Sequence, residues 1–226
     1  MIVTIDGPSG AGKSTTARRL AGEIGYRFLD TGAMYRALAW NVLQSGTTFD
    51  DLPTVIAIAR KTRLEIDQEL ITVNGREVSS LLRTPEVSQA SSAIAQIQEI
   101  RQLMVLAQRR IGANGDYVCE GRDQGTVVFP DAICKFFLTA SPECRARRRS
   151  EELRARGTDI SFEEILRQQI ERDHRDSTRQ SSPLVPAHDA IQIDTTGMSL
   201  DEVLDRMKHD VLAKVELLLE QGRKGE

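Results

Sequence analysis

MIVTIDGPSGAGKS, residues 1–14, decides the fold. Ile2 to Ile5 is a short β-rich run. Gly7, four intervening residues and Gly12-Lys13-Ser14 then complete the phosphate-loop pattern G-x-x-x-x-G-K-[ST]. The pattern lies between a predicted strand and a predicted helix, as its chemistry requires. Glycine allows backbone conformations that a Cβ obstructs, so consecutive N–H groups can face phosphate oxygens. The helix that starts near Gly12 adds its positive end. Gly7, Pro8, Ser9, Gly10, Ala11, Gly12, Lys13, Ser14 and Thr15 are therefore the candidate residues for binding a nucleoside triphosphate. Lys13 is the candidate catalytic cation for the β- and γ-phosphates, and the Ser14 hydroxyl is the candidate Mg²⁺ ligand.

Outward from the loop, Ala17, Leu20, Ala21 and Ile24 recur at helical spacing until Gly25. Tyr26 to Leu29 reads as a second strand closing on Asp30-Thr31-Gly32, and Met34 to Leu43 as a second helix. Strand, helix, strand, helix implies an α/β fold with a parallel sheet and right-handed crossovers. The rhythm breaks after Gly46. Thr62 to Asp67 and Leu70 to Val73 alternate as half-buried strands, and Asn74-Gly75 is a strong hairpin signal with Arg76 to Val78 returning from it. A small antiparallel unit is thus inserted, residues 62–111, into a core of residues 1–61 and 112–226. Thr84-Pro85 starts a helical stretch that reaches about Ile111. Further strands are expected at Tyr117 to Cys119, Ile133 to Leu138 and Ala190 to Ile193, giving five in the parallel sheet. Helices are expected at Pro142 to Arg156, Phe162 to Arg179 and Ser199 to Leu219, with residues 222–226 a frayed tail.

Composition excludes several classes. Apolar residues at 40% and charged residues at 28% suit a soluble globular chain, and a net charge of −3 gives no reason to expect a nucleic-acid polymer as partner. Three cysteines without C-x-x-C spacing read as free thiols of a reducing compartment. Asp6 interrupts the apolar start, so no signal peptide is expected, and no run approaches the ~20 apolar residues of a membrane span. A cytoplasmic monomer is the expectation. The three histidines have no evident partners, which argues against a nucleophile-and-base hydrolase.

A phosphate loop serves GTPases, motors, transporters and kinases alike. No N-K-x-D segment supports guanine reading. Arginines instead come in groups. Arg172, Arg175, Asp176 and Arg179 are spaced i, i+3, i+4, i+7 and share one helix face. An exposed Arg172–Asp176 pair would contribute only ~0.3–0.5 kcal/mol, but three arginines around one aspartate call for an anion. Arg145, Arg148 and Arg149 form a second group that suits a solvated basic helix or a phosphate-binding lid. Asp30, Arg122 and Asp123 follow predicted strands, where ligands collect in open parallel sheets.

With these residues assembled, the chain resembles the bacterial cytidylate kinases of the nucleoside monophosphate kinase group. VTIDGPSGAGKS, LDTGAMYR, LLRTPEVS, EGRDQGTVVFPDA, ERDHRDSTR and PLVPAHDAI carry the likeness from Val3 to Ile191. The resemblance implies a phosphate-loop kinase core, a monophosphate-binding insertion and a helical lid at about residues 150–171. It implies transfer of the ATP γ-phosphoryl group to CMP and dCMP with Mg²⁺. It places Thr31, Tyr35, Arg36 and Arg122 around the CMP phosphate. Ser92, Arg101, Asp123 and Arg179 would face cytosine, and Arg172 and Asp176 the sugar. Arg145 and Arg149 would lie on the ATP side, and Arg175 near the transferring group, with Lys13 and Arg122 also catalytic. Glu120 stands where the family often carries aspartate. A kinase for another nucleoside monophosphate, or a nucleotide-binding regulatory module without turnover, are the competing readings.

Overall fold

The structure, a computed structural model, describes residues 1–67, 70–155 and 157–224. It divides into two compact units, Met1–Phe28 with Gly115–Glu226, and Leu29–Asn114.

The first unit begins with β1 (Ile2–Asp6), α1 (Lys13–Ile24) and the start of β2 (Arg27–Asp30). The second unit carries α2 (Thr31–Gln44), α3 (Leu52–Lys61), β3 (Leu64–Asp67), β4 (Leu70–Val73), β5 (Arg76–Glu77), α4 (Pro85–Ile94) and α5 (Gln98–Gly112). The chain then returns through β6 (Tyr117–Gly121), β7 (Cys134–Thr139), α6 (Pro142–Arg154), α7 (Phe162–Thr178), β8 (Ile191–Asp194) and α8 (Leu200–Lys224).

The large sheet has the order β2-β6-β1-β7-β8. Its central strand β1 runs parallel to β6 on one side, Asp6 opposite Gly121, and to β7 on the other, Asp6 opposite Phe137. β8 continues parallel to β7. The phosphate loop therefore leaves from the middle of the sheet's carboxyl edge. Strands buried on both faces read as continuous apolar runs, and Val3, Ile5, Val118, Phe136, Leu138 and Ile193 are all nearly inaccessible. Ala17, Leu20 and Ala21 of α1 and Val203, Leu204, Met207 and Val211 of α8 complete this core. Each large side chain buried there contributes about 1.5–3 kcal/mol.

The second unit holds the predicted hairpin. β3, β4 and β5 are antiparallel, with Asn74 and Gly75 both at positive φ (52° and 81°), the geometry of a type I′ turn. Trp40, Ile71, Val73, Val78, Leu82 and Val87 form its core. Thr84 caps α4 by accepting from the Val87 N–H at 3.2 Å, with Pro85 in the first turn. One helix here was not expected from periodicity: α3, capped by Asp51, whose carboxylate accepts from the Thr54 N–H at 3.2 Å. α8 runs to Lys224, beyond the expected end at Leu219. Arg156 and the tail residues Gly225 and Glu226 lie outside the described residues.

Gly7 makes the close approach on which the loop depends. Its φ is 143°, and a Cβ there would lie 1.9 Å from the Leu138 carbonyl oxygen of β7. Gly7→Ala should therefore cost at least about 2 kcal/mol and lower Tm by roughly 4 °C or more. Gly22 lies inside α1 with nothing within 4 Å of its Cβ position, so Gly22→Ala should stabilise by about 0.5–1 kcal/mol. Thermal unfolding of the two variants checks both signs.

Candidate active site

A phosphate loop can present its N–H groups only where its carbonyls are satisfied elsewhere. The first unit shows where they go. The Ser9 carbonyl accepts from Arg145 at 3.0 Å, the Gly10 carbonyl from Arg148 at 3.5 Å and the Ala11 carbonyl from the Thr195 hydroxyl at 3.3 Å. A trans peptide points the following N–H opposite to its C=O, and no peptide in the described residues is cis. The N–H groups of Gly10 and Ala11 are thereby aimed away from α6, and that of Gly12 away from Thr195, as an anion cradle needs.

Arg145 is the central fastener. It is 3% exposed, and its guanidinium donates to Ala140 at the end of β7 (2.9 Å), to Ser9 and to Asp173 of α7 (2.6 Å). Gln169 of α7 reaches the Arg145 carbonyl at 3.2 Å. Arg148 also holds Thr195 through its hydroxyl (3.0 Å) and carbonyl (2.8 Å). Gly10 permits this packing, because a Cβ there would lie 2.9 Å from that of Arg145. The sequence spacing placed Arg145 and Arg148 on one helix face but did not reveal that both grip the loop backbone. Arg149, half-buried, pairs instead with Glu152 at 2.9 Å on its own helix.

Lys13 is buried, with its ammonium 2.8 Å from the Pro8 carbonyl. Burial foremost, then the charge of Arg122, pushes it down from 10.5 to about 7, with Arg172 acting the same way and Glu120 and Asp6 opposing. Ser14 Oγ, exposed at the start of α1, donates to Glu120 Oε1 at the end of β6. Two hard oxygen donors at the mouth of a phosphate cradle fit a small divalent cation that takes its remaining ligands from phosphate and water. Among the described residues, no group of three or more His, Cys, Asp or Glu could hold a metal by itself. Asp6 accepts from the Gln124 and Gly125 N–H groups at 2.9 and 2.8 Å, and burial raises its carboxyl to about 6.

The acceptor candidates of this unit gather on Asp176. Arg122 Nε donates to Asp176 Oδ2 at 3.0 Å, and Arg172 lies 4.0 Å from the same oxygen. Burial alone would raise the Asp176 carboxyl, but Arg122, then Arg172 and Arg179, hold it below the ordinary value. Arg179, at the C-cap of α7, donates to the Ser182 carbonyl at 2.5 Å. Asp123 is buried at the end of this segment. Arg175, on the same helix, is exposed, and its Nε reaches the Glu171 carbonyl at 3.4 Å. The i, i+4 pairing of Arg172 with Asp176 is present, but the closer cation, Arg122, comes from a distant part of the chain.

In the second unit, Asp30 caps α2 by accepting from the Ala33 N–H (2.8 Å) and pairs with Arg36 (2.9 Å). Thr31 is buried beside it. Arg101 is 3% exposed, donates to the Ala95 carbonyl at 3.1 Å and lies 5.8 Å from the Tyr35 ring centroid. The Ser92 carbonyl accepts from Gln96 at 3.4 Å. Sequence reasoning missed Asp6, Gln169 and Asp173 as parts of the site. Asp6 could have been suspected as a charged residue ending an otherwise apolar strand.

A family model described as cytidylate kinase matches residues 3–212. The cytidylate kinase of Caldanaerobacter subterraneus subsp. tengcongensis is 46% identical, over 91% of this chain and 92% of its own length. That of Rhodopirellula baltica is 49% identical, over 92% of this chain and 90% of its own. A gluconokinase structure from Sinorhizobium meliloti 1021 superposes with a TM-score of 0.52 at 15% identity, covering 97% of this chain and 95% of that one, a likeness of fold alone.

The depressed Lys13 pKa has a consequence for stability. Between about pH 7 and 10.5 the unfolded chain holds a proton on Lys13 that the folded one has lost, so this group's penalty is full below pH 7 and fades as pH rises. Lys13→Met should raise the Tm of the nucleotide-free protein at pH 7 by about 2 °C or more, and less at pH 10. Thermal unfolding at the two pH values checks it.

Proposed function

The chain belongs to the cytidylate kinase family, and we propose that it transfers the γ-phosphoryl group of ATP to CMP and to dCMP. Membership makes it a nucleoside monophosphate kinase, a phosphotransferase. The observation that carries the substrate reading is the gathering of Lys13, Arg122 and Arg172 in one desolvated region beside the phosphate loop, with Asp176 fixing Arg122. Positive charge gathered this way suits two phosphate groups brought together beside one loop.

The N–H groups of Gly10 to Gly12 receive the triphosphate of ATP. Its negative charge favours the ammonium form of Lys13, which then detaches from the Pro8 carbonyl and reaches the β- and γ-oxygens. Ser14 and Glu120 would hold Mg²⁺, which would supply positive charge to offset that of the triphosphate. Arg145 keeps the loop in shape from the ATP side. Arg149 lies on the same ATP side, Arg175 near the transferring group, and a lid at about residues 150–171 excludes water.

The acceptor phosphate is mostly dianionic near neutrality, its second pKa being about 6, so its oxygen needs no general base. The barrier is the approach of two anions, and Lys13 and Arg122 offset that repulsion in the transition state. Asp123 accepts from the exocyclic amine of cytosine, Arg179 donates to a ring acceptor, and Arg172 and Asp176 bind the sugar. Thr31, Tyr35 and Arg36 as phosphate contacts, and Ser92 and Arg101 as base contacts, belong to the same proposal. The protein works in the cytoplasm as a monomer.

An acceptor panel with MgATP tests this: ADP formation should be fastest with CMP, and faster turnover of UMP or AMP rejects the substrate. Asp123→Asn should cut the CMP-over-UMP ratio of kcat/KM by about tenfold, since each mismatched buried group costs roughly 1–3 kcal/mol. Unequal losses with CMP and dCMP in Asp176→Ala would place that carboxylate at the sugar, whereas equal losses leave it only the task of holding Arg122.

A further inference from the structure

Asp6 ends the central strand and directly precedes the phosphate loop, yet its carboxylate serves a different segment. It is 4% exposed, and its two oxygens divide between the N–H groups of Gln124 (2.9 Å) and Gly125 (2.8 Å). These are the two residues after Arg122-Asp123. They open a single π-helical turn, Gln124–Val128, whose first carbonyl partner is Asp123: the N–H groups of Val127 and Val128 reach its oxygen at 2.9 and 3.1 Å. π-turns are uncommon and occur often at functional sites.

The turn is gripped from its other side as well. Gly125 packs so tightly on the sheet that a Cβ would lie 2.9 Å from Thr4 Oγ1 and 3.2 Å from Lys135 Cδ. Burying a carboxylate costs several kcal/mol unless strong hydrogen bonds compensate it. Two charge-assisted bonds to adjacent N–H groups do so, and they also fix direction in a way that one neutral bond does not. The charge therefore sets the orientation of the backbone that carries Arg122 and Asp123.

We propose that Asp6 is a positioning residue for acceptor selection, holding the Arg122-Asp123 segment against the first strand so that the base-reading carboxylate keeps its place. This rests on the reading of Asp123 as the group that meets the acceptor's base. Asp6 touches no substrate; it acts through the turn. The same strand thus supports the donor loop at its end and the acceptor-reading segment at its side.

Asp6→Asn is the direct test. An amide can accept one of the two N–H groups through its oxygen, but its NH₂ then faces a second donor. The expected result is a loss of about tenfold in the CMP-over-UMP ratio of kcat/KM, the equivalent of about 1.4 kcal/mol of lost discrimination. Removing a charge near Lys13 would slow both acceptors alike and leave that ratio unchanged. A folded Asp6→Asn variant with the wild-type ratio overturns the proposal. Gly125→Ala displaces the same turn from the Thr4 side while keeping the charges of Asp6 and Lys13, and should lower the same ratio. Hydrogen exchange on the wild-type protein gives a readout that needs no variant: the Gln124 and Gly125 amides should exchange as slowly as those of β1 and β6. Exchange at open-loop rates overturns the proposal. If the wild-type enzyme proves to prefer another acceptor, the substrate reading falls, and the ratio for that acceptor over its nearest competitor still tests Asp6.

Discussion

A backbone loop can offer its N–H groups to an anion only if its carbonyls are held somewhere else. Here the outward carbonyls of Ser9, Gly10 and Ala11 meet Arg145, Arg148 and Thr195. The rest of the first unit serves that arrangement. Gly7 lets the loop start against Leu138, and the apolar faces of α1 and α8 hold the sheet rigid behind it. Arg145 is consequently more than a surface cation near a phosphate. It joins the end of β7, the loop and α7 at one guanidinium, a task suited to a planar fork with five donors and not to a lysine ammonium.

The cradle's second constraint is electrostatic. Lys13, Arg122 and Arg172 repel one another in a region with little water, and the anions nearby are already committed. Asp176 serves Arg122, Glu120 meets Ser14, and Asp6 holds a turn. Compensation is therefore partial in the nucleotide-free protein. A site with this surplus is less stable empty than a neutral one would be, which is the usual relation between a preorganised charged site and the fold that carries it.

Contiguous signals were legible in the sequence. The phosphate loop, the apolar strands, the Asn74-Gly75 hairpin and the Thr84-Pro85 helix start are each written in adjacent residues with one physical meaning, and each takes the expected form. α3 escaped because only Val55 and Ala59 are buried along it, too few for a periodic stripe, although Asp51 and Pro53 mark its start. The site was legible as composition and less so as partnership. Helix spacing matched Arg172 to Asp176, but the 3.0 Å partner is Arg122, 54 residues away. It also gathered Arg175, which the end of α7 leaves exposed. Pairings of that separation depend on which strand lies beside which, and no local pattern encodes them.

The strand order explains why one aspartate can matter to two segments. β1 lies between β6 and β7, with Asp6 in register with Gly121. Any residue at the end of β1 is therefore next to the exit of β6, where Glu120, Arg122 and Asp123 emerge. The phosphate loop and the charged segment after β6 are more than 100 residues apart in sequence but adjacent at the carboxyl edge of the sheet. Placing the phosphate loop on the central strand makes this adjacency unavoidable. A carboxylate at Asp6 uses it, fixing one segment through a strand that has already fixed the other.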